Sequence, residues 1–190
     1  MYLGPTDATL HISLDEVEPE VWRRLVVPSA ILLPDLASVF EVTMGWAGYH
    51  LHQFVVADIL FGAPDDDNDW SIDYRKVTLQ QVARAAGSTL SWEYDFGDGW
   101  THTVRVEAIA EPDPAVVGPV VLDGAGACPP EDCGGPYGYT EMLAAVADPD
   151  HDRHDDVLVW LGGDFDPAAF DAAAVNARLR ALRSQRARTR

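Results

Sequence analysis

Between Ser88 and Glu107 the sequence alternates apolar and polar residues on both sides of one glycine-rich break, Gly97-Asp98-Gly99. Leu90, Trp92, Tyr94 and Phe96 occupy every second position before the break, and Trp100, His102, Val104 and Val106 do so after it. A period of two belongs to a strand with one buried face, and a glycine-flanked break between two such runs is a hairpin turn. The spacing predicts a hairpin over 89–109. A three-residue loop pairs Phe96 with Trp100, Tyr94 with His102 and Trp92 with Val104, which makes one continuous apolar face. A two-residue loop would mix buried and exposed sides. Gly99 then takes the left-handed position that such loops require. His102 points toward the core beside Tyr94, while Ser91, Glu93, Asp95, Thr101, Thr103 and Arg105 line the other face.

The remaining periodicities set strands at the front and helices at the back. Leu10, Ile12 and Leu14 alternate within 9–17, and Val21–Val27 follows as a second strand. Pro34 suits a first helical position, with Leu36, Val39, Phe40 and Thr43 at helical spacing and a stop at Gly45. Residues 51–60 alternate again, and Thr78 caps a short helix through Ala86. From Pro112 to Gly138 the density of Pro and Gly reads as loop. Helices resume over Thr140–Ala147, from about Asp152 to Leu161, and after Asp166-Pro167, where Phe170, Val175, Leu179 and Leu182 supply a buried stripe. The class is α+β, a mixed or antiparallel sheet around the central hairpin packed against helices. Residues 1–183 form a single domain, and 184–190 read as a flexible basic tail.

Charge narrows the partners. Residues 1–177 hold only six Arg and one Lys against all 31 acidic residues, while the last 13 positions carry six Arg and no acid. A body this acidic repels phosphate backbones and argues against nucleic acid on the main surface. The arginine-rich end is read as a helix terminus favoured by the macrodipole. No apolar run is long enough to span a bilayer, and the N-terminus lacks the basic and apolar segments of a signal peptide, so a cytoplasmic location is expected. The run Asp65-Asp-Asp-Asn-Asp69 offers oxygen ligands for calcium but lacks the glycine and distal Glu of an EF-hand loop; it reads as a solvated turn.

Candidate chemistry gathers in three places. His50 and His52 lie two residues apart on a strand, about 7 Å at a rise of ~3.3 Å per residue. His102 sits in the hairpin face. Cys128 and Cys133 bracket the segment Cys-Pro-Pro-Glu-Asp-Cys, with Gly134, Gly135 and Gly138 behind it. His52, His102, Cys128 and Cys133 form the candidate metal set, with zinc as the candidate ion. A pocket is expected between the hairpin face (Trp92, Tyr94, Trp100, His102, with Asp95 and Asp98 at its turn), the His50/His52 strand and the Cys128–Tyr139 loop with Glu131, Asp132 and Tyr139. Asp98 between two glycines suits a turn. Glu131 and Asp132 would raise the Cys133 pKa, which weakens a thiolate nucleophile.

The ordered series Ile12–Arg24, Gly45-Trp46 with His50-Leu-His52-x-Phe54, Tyr94-Asp-Phe-Gly-Asp-Gly-Trp-x-His102, Cys128-Pro-Pro-Glu-Asp-Cys-Gly-Gly-Pro-x-Gly-Tyr139 and Trp160-Leu-Gly…Phe165-Asp-Pro-x-x-Phe170 resembles the plasmid pRiA4b ORF-3-like family over about residues 8–182. The resemblance implies a bacterial α+β protein. It also implies two departures: Ala37 stands where many members carry His, and Val121 where many carry a third Cys. Some members bear a transposon-resolvase label, which does not suit a body so poor in arginine. The expected function is a non-enzymatic binding or interaction module for a small molecule or protein. A metal-dependent hydrolase is the alternative, and a DNA-associated role rests only on the tail.

Overall fold

The computed structural model describes residues 4–64 and 71–189, so the Asp65–Asp69 run lies outside the described residues. Eight strands form one sheet in the order β5-β4-β3-β6-β7-β1-β2-β8. They are β1 (Asp7–Leu14), β2 (Trp22–Pro28), β3 (His52–Val56), β4 (Ile59–Gly62), β5 (Ile72–Asp73), β6 (Thr89–Tyr94), β7 (Trp100–Ala110) and β8 (Val120–Ala125). All neighbours pair antiparallel except β4 and β5. The helices are α1 (Leu33–Met44), α2 (Leu79–Val82), α3 (Gly135–Ala147), α4 (His154–Leu161) and α5 (Ala172–Thr189). The architecture is α+β.

Alternation decides which face is covered. Leu10, Ile12 and Leu14 of β1, Leu25 and Val27 of β2, and the apolar sets of β6 and β7 are buried under α1, whose Leu33, Leu36, Ala37 and Phe40 are fully enclosed. At the usual ~25 cal/mol per Å² of apolar surface, each buried Val, Leu, Ile or Phe side chain contributes about 1.5–3 kcal/mol. The opposite face is polar, with His11 stacked on Trp22 and Arg24 paired to Glu107. Among the described residues no helix is long and apolar enough to cross a membrane.

Five expectations change. The hairpin register is displaced by two residues: Tyr94 faces Trp100, Trp92 faces His102 and Leu90 faces Val104. Asp95 turns into the left-handed region (φ 55°), and its Oδ1 accepts from the Gly97 and Asp98 amides. The loop therefore spans 95–99, and Phe96 leaves the apolar face for solvent. Gly99 does take positive φ (73°). Next, residues 51–60 are two strands, β3 and β4, because Ala57 and Asp58 both adopt positive φ as in a two-residue hairpin turn. The Pro112–Gly138 stretch contains β8 and the start of α3, and the short helix after Thr78 ends at Val82. Finally, the expected tail from 184 is helical to Thr189, and Arg186 of α5 pairs with Asp35 of α1.

Candidate functional site

The apolar hairpin face is not a pocket wall, because a side chain from elsewhere fills it. Trp46, in the loop between α1 and β3, packs on Tyr94 (centroids 5.1 Å apart) and Trp100 (5.4 Å). Trp46, Trp92, Tyr94, Trp100 and His102 are almost completely buried. The floor is further fixed by Arg23, whose guanidinium is enclosed among backbone carbonyls. Nε donates to Thr43 O (2.9 Å), Nη1 to Ala125 O (2.7 Å) and Nη2 to Gly126 O (2.9 Å), while Phe170 lies 4.4 Å from its Cζ. This ties the C-terminal carbonyls of α1 to β8 and so anchors the loop that begins at Gly45.

At the rim of this aromatic floor, Tyr94 puts its hydroxyl into a polar cluster. The hydroxyl donates to Glu131 Oε1 (3.0 Å) and accepts from the Gly48 amide (3.2 Å). The Ala47 amide donates to the same Oε1 (2.6 Å). Burial first, then the Glu131 carboxylate, push the Tyr94 pKa upward, so the phenol stays a donor. With Oε1 saturated, Glu131 Oε2 is turned inward.

Three carboxylates surround one imidazole nitrogen. His50 Nε2 stands 3.5 Å from Asp95 Oδ2, 3.6 Å from Glu131 Oε2 and 3.5 Å from Asp132 Oδ1. One ligand atom from each of His50, Asp95 and Glu131 lies within 4.8 Å of the other two. His50 Nε2 and Glu131 Oε2 are buried without a hydrogen-bond partner. Asp95 and Asp132 both hold positive φ, 55° and 58°. Non-glycine residues in that region cluster at functional sites, where surrounding contacts compensate the cost. Asp98, one turn away, accepts from the Gly134 amide (3.1 Å) and so clamps the hairpin loop to the segment bearing Glu131.

The other expected ligands serve elsewhere. His52 Nε2 meets Tyr74 Oη at 3.0 Å and its Nδ1 lies 3.6 Å from Glu41; burial lowers its pKa. Both nitrogens of His102 are occupied, Nδ1 by Trp92 O (3.1 Å) and Nε2 by Trp46 Nε1 (3.3 Å). Cys128 and Cys133 are free thiols whose pKa values burial pushes up, to about 12 for Cys133. Tyr139 is core, edge-on to Phe165. Among the described residues His52, His102, Cys128 and Cys133 do not share a centre; His50, Asp95 and Glu131 do. Trp46, Arg23 and Glu41 carry no sequence signal of their role, since each is defined by what it meets across the fold.

Known proteins resemble this chain over most of its length. A curated relative from Sinorhizobium fredii (strain NBRC 101917 / NGR234), the uncharacterized protein y4hQ, is 44% identical over 170 residues, covering 88% of this chain and 87% of the relative. The crystal structure of MM3350 from Methanosarcina mazei Go1, a protein of unknown function, superposes with a TM-score of 0.80 at 32% identity, covering 90% of this chain and 97% of that one. Residues 6–174 match the family model of the plasmid pRiA4b ORF-3-like proteins, and the chain belongs to that family.

Proposed function

We propose that the chain is a binding module for a small cationic ligand, seated where His50, Asp95, Glu131 and Asp132 meet. One observation carries this reading. Ligand atoms of His50, Asp95 and Glu131 lie within 4.8 Å of one another, the two carboxylates stand 3.5 and 3.6 Å from His50 Nε2, and buried polar atoms without partners, here His50 Nε2 and Glu131 Oε2, are costly unless something fills the space. A cation at the centre supplies a partner to His50 Nε2 and Glu131 Oε2 at once. The scaffold supports binding rather than nucleophilic chemistry, because both thiols of the neighbouring loop are held protonated by burial.

Access favours a small molecule or ion. Asp132 is the exposed member of the set, with 68% of its side-chain surface open, and it also lines a cleft of about 330 Å³ with Cys133, Met142, Arg153 and Trp160. The test follows the imidazole NMR signals of His50 while zinc, calcium and ethylammonium chlorides are added in turn. At least one should shift them in the native chain, and the response should be lost in the Asp95→Asn/Glu131→Gln variant. Silence toward all three ions would overturn the reading.

A further inference from the structure

We infer that His50 Nε2, Asp95 Oδ2 and Glu131 Oε2 form a three-ligand site for a divalent transition-metal ion of the zinc class, its fourth position open to an incoming group. The inference rests on the cation-binding reading above and names the ion. Its argument is the spacing of the donors together with their chemistry.

The edges of a coordination polyhedron measure the ion inside it. A tetrahedron with bonds of ~2.1 Å, the zinc–nitrogen and zinc–oxygen range, has edges of ~3.4 Å. The edges from His50 Nε2 to Asp95 Oδ2 and Glu131 Oε2 are 3.5 and 3.6 Å, and the three residues offer ligand atoms that all lie within 4.8 Å of one another. An ammonium group donating four hydrogen bonds of ~2.8 Å would hold its acceptors ~4.6 Å apart. Magnesium, octahedral at ~2.05 Å, would draw neighbouring ligands to ~2.9 Å. Calcium at ~2.4 Å gives octahedral edges of ~3.4 Å, yet calcium takes oxygen ligands and leaves imidazole unused. Imidazole with carboxylates suits zinc and its first-row neighbours.

A second observation is independent of the spacing. The Asp95 side chain is more than nine-tenths buried, with only 9% exposed, and its Oδ1 is already committed to the Gly97 and Asp98 amides. Oδ2 is thereby aimed at the centre. Glu131 is handled the same way, Oε1 being held by Ala47 and Tyr94 while the buried Oε2 lacks a hydrogen bond. Each carboxylate is oriented through one oxygen and offers the other, which is how outer-shell contacts prepare metal ligands. Asp132, 3.5 Å from His50 Nε2 with 68% of its side chain exposed, stands on the solvent side of His50 and outside the three-residue group.

The experiment uses the full chain. Calorimetric titration with zinc should give one ion per chain. The cobalt(II) form should show the intense visible d–d absorption of a four-coordinate nitrogen–oxygen site, a readout that needs no variant. His50→Gln should reduce zinc affinity at least 100-fold and Asp95→Asn at least 10-fold, with far-ultraviolet circular dichroism unchanged. The double variant Cys128→Ser/Cys133→Ser should keep the stoichiometry. Binding of ethylammonium or calcium but not zinc overturns the zinc assignment and leaves the cation module standing. Binding of none overturns both. Zinc retained in full by His50→Gln, or lost with the cysteines, places the ion elsewhere and overturns the site.

Discussion

Trp46 Nε1 donates to His102 Nε2 across 3.3 Å, and this bond decides the ionisation state of the core histidine. An indole nitrogen can only donate, so Nε2 must be the unprotonated nitrogen. The Trp92 carbonyl can only accept, so Nδ1 carries the hydrogen. Together the two partners select one neutral tautomer in a fully buried ring.

The first prediction follows from that state. Burial lowers the His102 pKa to about 3, against 6.5 in an unfolded chain. Below about pH 6.5 the unfolded chain therefore binds a proton that the fold refuses. The stability tied to neutral His102 is complete above pH ~6.5 and is lost as pH falls toward 3, by about 2 kcal/mol at pH ~5. Urea midpoints at about pH 7 and pH 5 for wild type and His102→Leu test this. The variant should be less stable at the higher pH and lose less on acidification. Equal losses would remove His102 as the source.

Arg23 offers a second prediction. Its guanidinium satisfies carbonyls of the α1 terminus, β2 and the Ala125–Gly126 segment without any carboxylate nearby in its hydrogen-bond set. Arg23→Met leaves these acceptors unsatisfied, at about 1–3 kcal/mol for each one that stays buried and dry. Stability should drop by about 3 kcal/mol or more in urea denaturation. Arg23→Lys should recover less than half, because one ammonium cannot reach in the several directions that a planar fork does. Full rescue by lysine would show that charge alone matters here.

How much of this was legible in the sequence follows from the range of each signal. The buried face of the hairpin was readable because alternation reports which side is apolar. Its register was not, since a displacement by two residues keeps every side chain on the same face. The deciding contact is local but silent in periodicity: Asp95 caps its own loop and expels Phe96. Strand β8 was hidden because it is an edge strand that pairs only with β2 and its six residues, Val-Val-Leu-Asp-Gly-Ala, carry little alternation. His50, Asp95, Glu131 and Asp132 were each visible as candidates. Their convergence was not, because Glu131 reaches Ala47 across 84 positions of chain through contacts that only the folded sheet creates. Arg23 reads in sequence as one more polar strand residue.

Asp95 separates folding from binding. Its Oδ1 holds the hairpin loop while Oδ2 faces His50. Asparagine keeps an amide oxygen for the loop and tolerates positive φ. Asp95→Asn should change stability by no more than about 0.5 kcal/mol while lowering zinc affinity at least 10-fold. Asp95→Ala loses both the cap and the tolerance for φ 55°, and should cost about 1–2 kcal/mol in stability as well. Circular dichroism melts beside calorimetric titrations check the split, and parallel losses in both variants would show that the residue acts only through the fold.

The last prediction sets helix propensity against a backbone contact. Gly138 lies in the first turns of α3, where alanine would ordinarily stabilise a helix by about 1 kcal/mol. A Cβ at that position would fall 2.0 Å from the Cys133 carbonyl oxygen, a backbone atom that cannot swing aside. The contact exists because the chain folds back from Cys133 through Gly134 into the helix, which brings Glu131 to the Tyr94 hydroxyl and the Gly134 amide to Asp98. Relieving the clash means moving that loop away from the hairpin. Gly138→Ala should therefore destabilise the protein, by about 1–3 kcal/mol as overpacked sites do, and should weaken zinc binding although residue 138 touches no ligand. A thermal midpoint raised by the substitution would show that the loop yields freely, and the rigid placement of Glu131 would then have to come from the Ala47 and Tyr94 contacts alone.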